Sequence, residues 1–368
     1  MKVTFPHMGN IHLLIKTLFD ELDVDYVIPP KCSKRTLELG SKYTPEMACI
    51  PLKINMGNFL EGIERGADTI VITGGAGPCR FGYYAEMHRQ ILADLGKDVE
   101  IITIELNENG IGELIAKLRK LFPKKPLATI AKGFFDGFKA IKQTDALEQY
   151  SFYVRPRELQ KGATDQIMKQ FESEAMCAKG RDIFKAIKLA KDKLSEVKRD
   201  PDCRPLKVGI VGEIYTLIEP LTNMNIEPIL GNMGIEVDRS LTISEWIKEH
   251  IIKGGLKLKK ENDFVKAACP YIKTMIGGHA QETVGHTVLY AQKGFDGVVE
   301  IYPLTCMPEI VANSILPEVA KDFDIPVLTL VMDEITGEAG YRTRIDAFAD
   351  MLYRRRENKR NELVLSGN

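Results

Sequence analysis

Short apolar, β-prone runs alternate with amphipathic stretches from the start of the chain. Residues 2–6 read as a strand, 11–22 carry helical periodicity, and 26–28 read as a second strand closed by Pro29-Pro30. A helix follows over 51–65, a strand over 68–73, a helix over 83–95, a strand over 99–106 and a helix near 111–122. Strands that alternate with helices in this way predict a parallel sheet with covering helices. Between Pro123 and Pro205 the strand signals fade and Lys/Glu-rich helical patterns take over, notably at 166–178 and 181–198. The alternation resumes with a strand at 207–215, a helix near 223–233, a strand at 297–304, a helix over 308–323, a strand at 326–332 and a final helix from about Arg342. The expected class is α/β: a parallel-sheet domain over 1–124, a helical linker or cap over 125–204 and a second α/β domain over 205–368.

Composition narrows the function classes. With 44% hydrophobic and 27% charged residues, the chain is an ordinary globular one. Its 50 basic and 51 acidic residues nearly cancel, so no global field favours nucleic acid or a membrane surface. No apolar run approaches the ~20 residues that cross a bilayer, and the first residues lack a signal peptide's apolar segment, so a cytoplasmic protein is expected. The closing Arg354-Arg355-Arg356 and Lys359-Arg360 suit a solvated helix end. Seven cysteines, an odd number with no C-x-x-C pair, argue against a secreted disulfide framework. What remains is buried thiols, a nucleophile, or metal thiolates gathered from distant parts of the chain.

Position favours the last. Cys32, Cys79 and Cys306 each lie past the carboxyl end of an expected strand, the edge where ligands bind in open parallel sheets. Cys49-Ile50-Pro51 and Cys306-Met307-Pro308 each place a C-x-P before a helical pattern, so the thiol stands at a helix amino terminus, where free N–H groups stabilise an anion. Arg80 follows Cys79 and is placed to offset negative charge. A single cysteine is more often a small core hydrophobe than a ligand, but four sharing loop-edge or helix-start positions reverse that weighting. Cys177, Cys203 and Cys269 read as structural or reserve positions. Without paired knuckles, scattered thiolates suit an iron–sulfur cluster better than zinc.

Other motifs rank lower. Gly74-Gly75-Ala76-Gly77 has neither dinucleotide spacing nor a Walker lysine, and the glycines at 209 and 212 lack a third. His7, His12, His88, His250, His279 and His286 show no metal-binding spacing, although His7 and His279 sit near glycine-containing turns.

The stretches Phe5-Pro6-His7-Met8-Gly9-Asn10, Cys49-Ile50-Pro51-Leu52-Lys53, Pro78-Cys79-Arg80-Phe81-Gly82, Val211-Gly212-Glu213-Ile214-Tyr215 and Cys306-Met307-Pro308-Glu309 resemble the 2-hydroxyacyl-CoA dehydratase / benzoyl-CoA reductase family, most closely its activase-associated branch. The resemblance implies Rossmann-like or flavodoxin-like domains around a 4Fe-4S cluster, with Cys49, Cys79 and Cys306 as ligands. It also implies single electrons from an ATP-hydrolysing activator with its own cluster, an acyl-CoA substrate, and a homo- or hetero-oligomer. Family subunits use three cysteines per cubane, whereas Cys32 offers a fourth here; a closed cage favours electron transfer or a reductase relay over dehydratase chemistry. A double-cubane 8Fe-9S cluster is the alternative cofactor. A metal-free nucleotide- or CoA-binding protein and a non-catalytic cluster-carrying subunit are the alternative functions.

Overall fold

In this computed structural model, which describes residues 1–74, 79–104, 110–249 and 262–365, two parallel sheets account for the strand signals. The first half runs β1 (Val3–Thr4), α1 (Ile11–Leu22), α2 (Lys34–Tyr43), α3 (Ile50–Glu64), β2 (Thr69–Thr73), α4 (Tyr84–Asp94), β3 (Glu100–Ile104) and α5 (Gly110–Leu121). Its strands pair in the order β1-β2-β3, with Val3 beside Thr69 and Ile70 beside Ile101. The strand expected at 26–28 shrinks to one parallel bridge between Tyr26 and Val3. Val27 N–H still reaches the Val3 carbonyl at 2.7 Å, but Pro29 and Pro30 supply no further donors, so the ladder stops there.

Helix α3 is buried on every side, including Lys53, Asn55, Asn58 and Glu61. Its close packing on α2 requires a missing side chain: a Cβ on Gly40 would stand 1.6 Å from the Lys53 carbonyl oxygen.

Helices α6 (Leu127–Val154), α7 (Ala163–Cys177) and α8 (Ile183–Glu196) form the middle of the chain. The 28-residue α6 places Ile130 in the core of the first sheet and Ile141 in that of the second, while Ala140 and Leu147 pack with α7 and α8. It is a strut shared by three cores.

The second half runs β4 (Leu206–Gly212), α9 (Ile214–Ile218), α10 (Ile226–Asn232), β5 (Ile235–Arg239), α11 (Ile243–Trp246), α12 (Asp263–Ala268), α13 (Ala280–Gln292), β6 (Gly297–Pro303), α14 (Met307–Asp322), β7 (Val327–Met332) and α15 (Glu338–Leu365). All pairings are parallel, in the order β5-β4-β6-β7. Strand β5 was not expected, because its Glu236, Asp238 and Arg239 disguise it. Its alternate residues are nonetheless buried, and Arg239 is neutralised inside by Glu148 and Glu227 at 2.8 and 3.2 Å.

The order β5-β4-β6-β7 puts a topological switch between β4 and β6, and counting the Tyr26 bridge the first sheet has the same crossing between β1 and β2. Loops at the carboxyl ends of strands beside a switch part to opposite sides and leave a crevice. Among the described residues, no helix is long and apolar enough to cross a membrane.

Candidate functional site

The two crevices meet where the sheets face each other. Gly9 N–H donates to Glu219 at 2.9 Å, the Tyr215 hydroxyl donates to the His7 carbonyl at 2.6 Å, and the buried Lys53 ammonium pairs with Glu334 while donating to the Glu46 carbonyl at 2.9 Å. Each contact joins the first half to the second or braces the seam between them.

Three of the four singled-out cysteines line this seam. Cys49 is the N-cap residue of α3, in extended backbone with Pro51 in the first turn, and Cys306 caps α14 in the same way with Pro308. Cys79 precedes the single 3-10 turn Arg80–Tyr83 that leads into α4. None of the three helix starts carries a side-chain cap hydrogen bond, and the Phe81 and Glu309 amides act on the Cys79 and Cys306 thiols themselves.

A carboxylate sits among them. Gly212 adopts φ +138°, and a Cβ there would stand 1.9 Å from the Ile301 carbonyl oxygen, so only glycine brings the end of β4 this close to β6. The next residue, Glu213, accepts from the Tyr215 and Thr216 amides at 3.0 Å each. Burial pushes the Cys49 thiol up to about 11; the Tyr84 hydroxyl, 2.5 Å away, works against that rise and Glu213 adds to it. Burial likewise raises Cys79, with the Phe81 backbone opposing and Glu213 adding. Cys306 is raised furthest, by burial and then by Glu213 and Glu309. Glu213 therefore bears on all three thiols, Cys79 on Cys49, and Cys49 on Cys306. Without a counter-cation these sulfurs stay protonated at neutral pH. Among the described residues, no three His, Cys, Asp or Glu side chains stand close enough to grip one metal ion.

Cys32 is placed differently. Its sulfur lies 3.6 Å from the Asn58 amide nitrogen and packs with Ile50, Ile54 and Tyr215. After burial, the groups acting on it are Glu219, Asn58 and Glu61 rather than other thiols. Arg80 is exposed, and its guanidinium donates to the Thr305 carbonyl and hydroxyl at 2.8 Å each and to the Met47 carbonyl at 3.3 Å. It lies near enough to Cys49 and Cys79 to favour their thiolates. Cys177 ends α7 exposed, Cys203 points at the Pro156 carbonyl at 3.7 Å, and Cys269 is exposed after α12. The His7 ring meets the Pro29 carbonyl at 2.8 Å, and His279 caps α13 with Glu282 3.6 Å away. His250 and the loop 75–78 lie outside the described residues.

Sequence reasoning passed over Glu213, Glu309, Tyr84 and Lys53. Glu309 is fully buried, its carboxyl held far above the carboxylate range by burial; one oxygen accepts from Thr283 at 2.8 Å and the other has no partner. The available signal was positional: Glu213 follows the glycine that ends β4, and Glu309 falls three residues after Cys306. Charged letters beside strand ends look the same whether they face water or a cleft.

Residues 7–72 match the family described as a CoA enzyme activase uncharacterised domain, a span that contains Cys32 and Cys49. No curated protein matches the sequence. The match links this part of the chain, broadly, to the activases and 2-hydroxyacyl-CoA dehydratases.

Proposed function

We propose that the protein is an iron–sulfur electron carrier of the CoA-activating type, in which Cys49, Cys79 and Cys306 hold a single 4Fe-4S cluster in the seam between the two sheets. The observation that supports the reading is that three N-cap thiols on three loops all feel the Glu213 charge, with Arg80 tying those loops together across the seam. A cubane spreads its ligand sulfurs wider than one ion does, which accommodates thiols too far apart for a mononuclear site. The donor chemistry fits as well: three half-buried thiols would lose their protons on ligation, and the iron of a cluster supplies the positive charge that offsets the thiolates. When bound, the cluster provides one-electron transfer at low potential.

The remaining work falls to the chain. Helix starts at Cys49 and Cys306 aim backbone dipoles at the sulfurs, Tyr84 donates toward Cys49, and the buried walls exclude water. Cys32, held by Asn58 and Glu219, stays structural, which leaves one position free of protein thiol. A double cubane is disfavoured because Cys177 and Cys203 belong to other elements.

The partner is an ATP-hydrolysing activator that carries its own cluster, and the substrate class is an acyl-CoA. The link of residues 7–72 to CoA enzyme activases supports this. So does an apolar rim at the mouth of the seam, where Met47, Tyr83, Leu304, Met307, Ile310 and Ile335 are all exposed.

Anaerobic purification followed by iron analysis tests the proposal. About four irons per chain are expected, lost in Cys49→Ala, Cys79→Ala and Cys306→Ala but kept in Cys32→Ala and Cys177→Ala. Protein that stays colourless after reconstitution with iron and sulfide sinks the cluster and favours a metal-free CoA- or nucleotide-binding protein instead.

A further inference from the structure

Thr305 has φ +69°. A β-branched residue in the left-handed region is a genuine outlier, and such a conformation persists only where its surroundings over-determine it. Here Arg80 and Met47 supply those surroundings. The Arg80 guanidinium, which comes from the other sheet, donates from one nitrogen to both the Thr305 carbonyl and its hydroxyl at 2.8 Å, and from another to the Met47 carbonyl at 3.3 Å. The Thr305 hydroxyl also reaches that Met47 carbonyl at 3.3 Å. The turn that carries Met47 is gripped a second time, through the Glu46 carbonyl, by Lys53.

Arg80 adjoins Cys79, Thr305 adjoins Cys306, and Met47 lies two residues before Cys49. One guanidinium therefore ties together the three loops that bear the three seam thiols. We infer that Arg80 is a positioning residue: its tie holds Thr305 in the left-handed conformation and so fixes where Cys306 stands relative to Cys49 and Cys79. The planar fork is what the arrangement uses, because three acceptors on two loops must be met at once and an ammonium cannot reproduce that geometry. The tie builds on the three-thiol reading for its purpose, but its geometry involves only groups of the chain itself.

The test is the rate at which Cys306 is alkylated by iodoacetamide in metal-free, reduced protein, followed by peptide mass mapping. Cutting the tie with Arg80→Ala lets Thr305 relax and should raise the Cys306 rate about tenfold, the factor that corresponds to losing a left-handed strain. Arg80→Lys keeps the charge beside Cys79 but not the fork, and should behave as the alanine variant does. Glycine occupies φ +69° without strain. Arg80→Ala combined with Thr305→Gly should therefore bring the Cys306 rate part of the way back toward wild type, because glycine removes the strain without supplying the tie. An unchanged Cys306 rate in Arg80→Ala overturns the inference, as does a wild-type rate in Arg80→Lys or a double variant as reactive as Arg80→Ala alone. Reconstituted samples supply a second readout, with a cluster spectrum altered in Arg80→Lys and partly restored in the double variant. Wild-type protein that binds no iron removes the cluster reading while leaving the alkylation result, and hence the tie, to stand or fall alone.

Discussion

In the first sheet, β1 spans only Val3–Thr4 and its outer neighbour is the single bridge at Tyr26, whereas in the second β4 and β6 are seven residues each. Both sheets use the same crossing, so the difference lies in solidity rather than topology. The second sheet draws on a continuous core from β4, β5, β6 and β7 that also takes in Leu14 and Ile141 from outside. The first relies on α3, a helix buried all round that keeps polar side chains inside. A firm wall carrying Cys306 and Glu213 thus faces a thinner one carrying Cys49 and Cys79. An arrangement of thiols built on both walls depends on the contacts that clamp them.

The firm wall is most easily broken at its switch point. Gly212→Ala would drive a Cβ into the Ile301 carbonyl and demand a backbone conformation closed to alanine, so a loss of about 4 kcal/mol is expected. Urea unfolding followed by far-UV circular dichroism measures it; a loss below 1 kcal/mol would show that β4 and β6 can part cheaply.

One buried group in each wall responds oppositely to pH. In the second, Glu300 on β6 is held up at about 7 by burial, with Asn313 and Thr329 donating to one oxygen and none to the other. Between about 4.5 and 7 the folded state keeps a proton that the unfolded chain releases, so this residue's contribution to stability falls as pH rises through that window. Glu300→Gln removes the dependence and should exceed wild type by about 3 kcal/mol above pH 7 while matching it below 4.5. Equal urea midpoints at pH 8 would contradict this.

In the first wall, His88 is fully buried beneath Phe59 and lowered to about 4 by burial, with the Leu52 carbonyl near one ring nitrogen. Here the unfolded chain binds the extra proton, so stability is present above about 6.5 and is lost as pH falls toward 4. His88→Leu should flatten that acid loss, worth up to about 3 kcal/mol at the lower end. Amide exchange at pH 5 locates the effect, which belongs to α3 and α4; an unaltered acid profile would place the liability elsewhere.

The clamp gives the smallest change in stability. Lys53→Met leaves Glu334 partly exposed and able to rehydrate, so about 2 kcal/mol is expected rather than the larger cost of stranding a wholly buried charge. Limited proteolysis should detect a looser seam even where the melting curve moves little. Cleavage as slow as in wild type would mean that the remaining seam contacts hold the walls without this pair.

Apolar periodicity made most of the fold legible, since strands 206–212, 297–303 and 327–332 are dominated by Val, Ile and Leu despite Lys207 and Glu300. It hid β5, whose Arg239 is paired inside the protein with partners 12 and 91 residues away. The C-x-P pattern likewise marked Cys49 and Cys306 as helix starts, because proline's fixed φ and missing donor act locally. The environment of Cys32 was beyond that kind of reading: its partners Asn58 and Glu219 are set by how α3 and the end of α9 pack.

Local chemistry along the chain was enough to determine alternating strands and helices and the capping cysteines, but not where β4 ends, since the strand expected over 207–215 stops at Gly212. The alternation and the caps follow from backbone sterics and side-chain shape within a few residues. Tertiary structure alone decided that Glu213 would act on three thiols from three loops, that Cys32 would lie beside Asn58, and that Arg80 would reach Thr305 across the seam. The last of these spans 225 residues of sequence, and only the burial of apolar faces on both sheets brings such groups within reach.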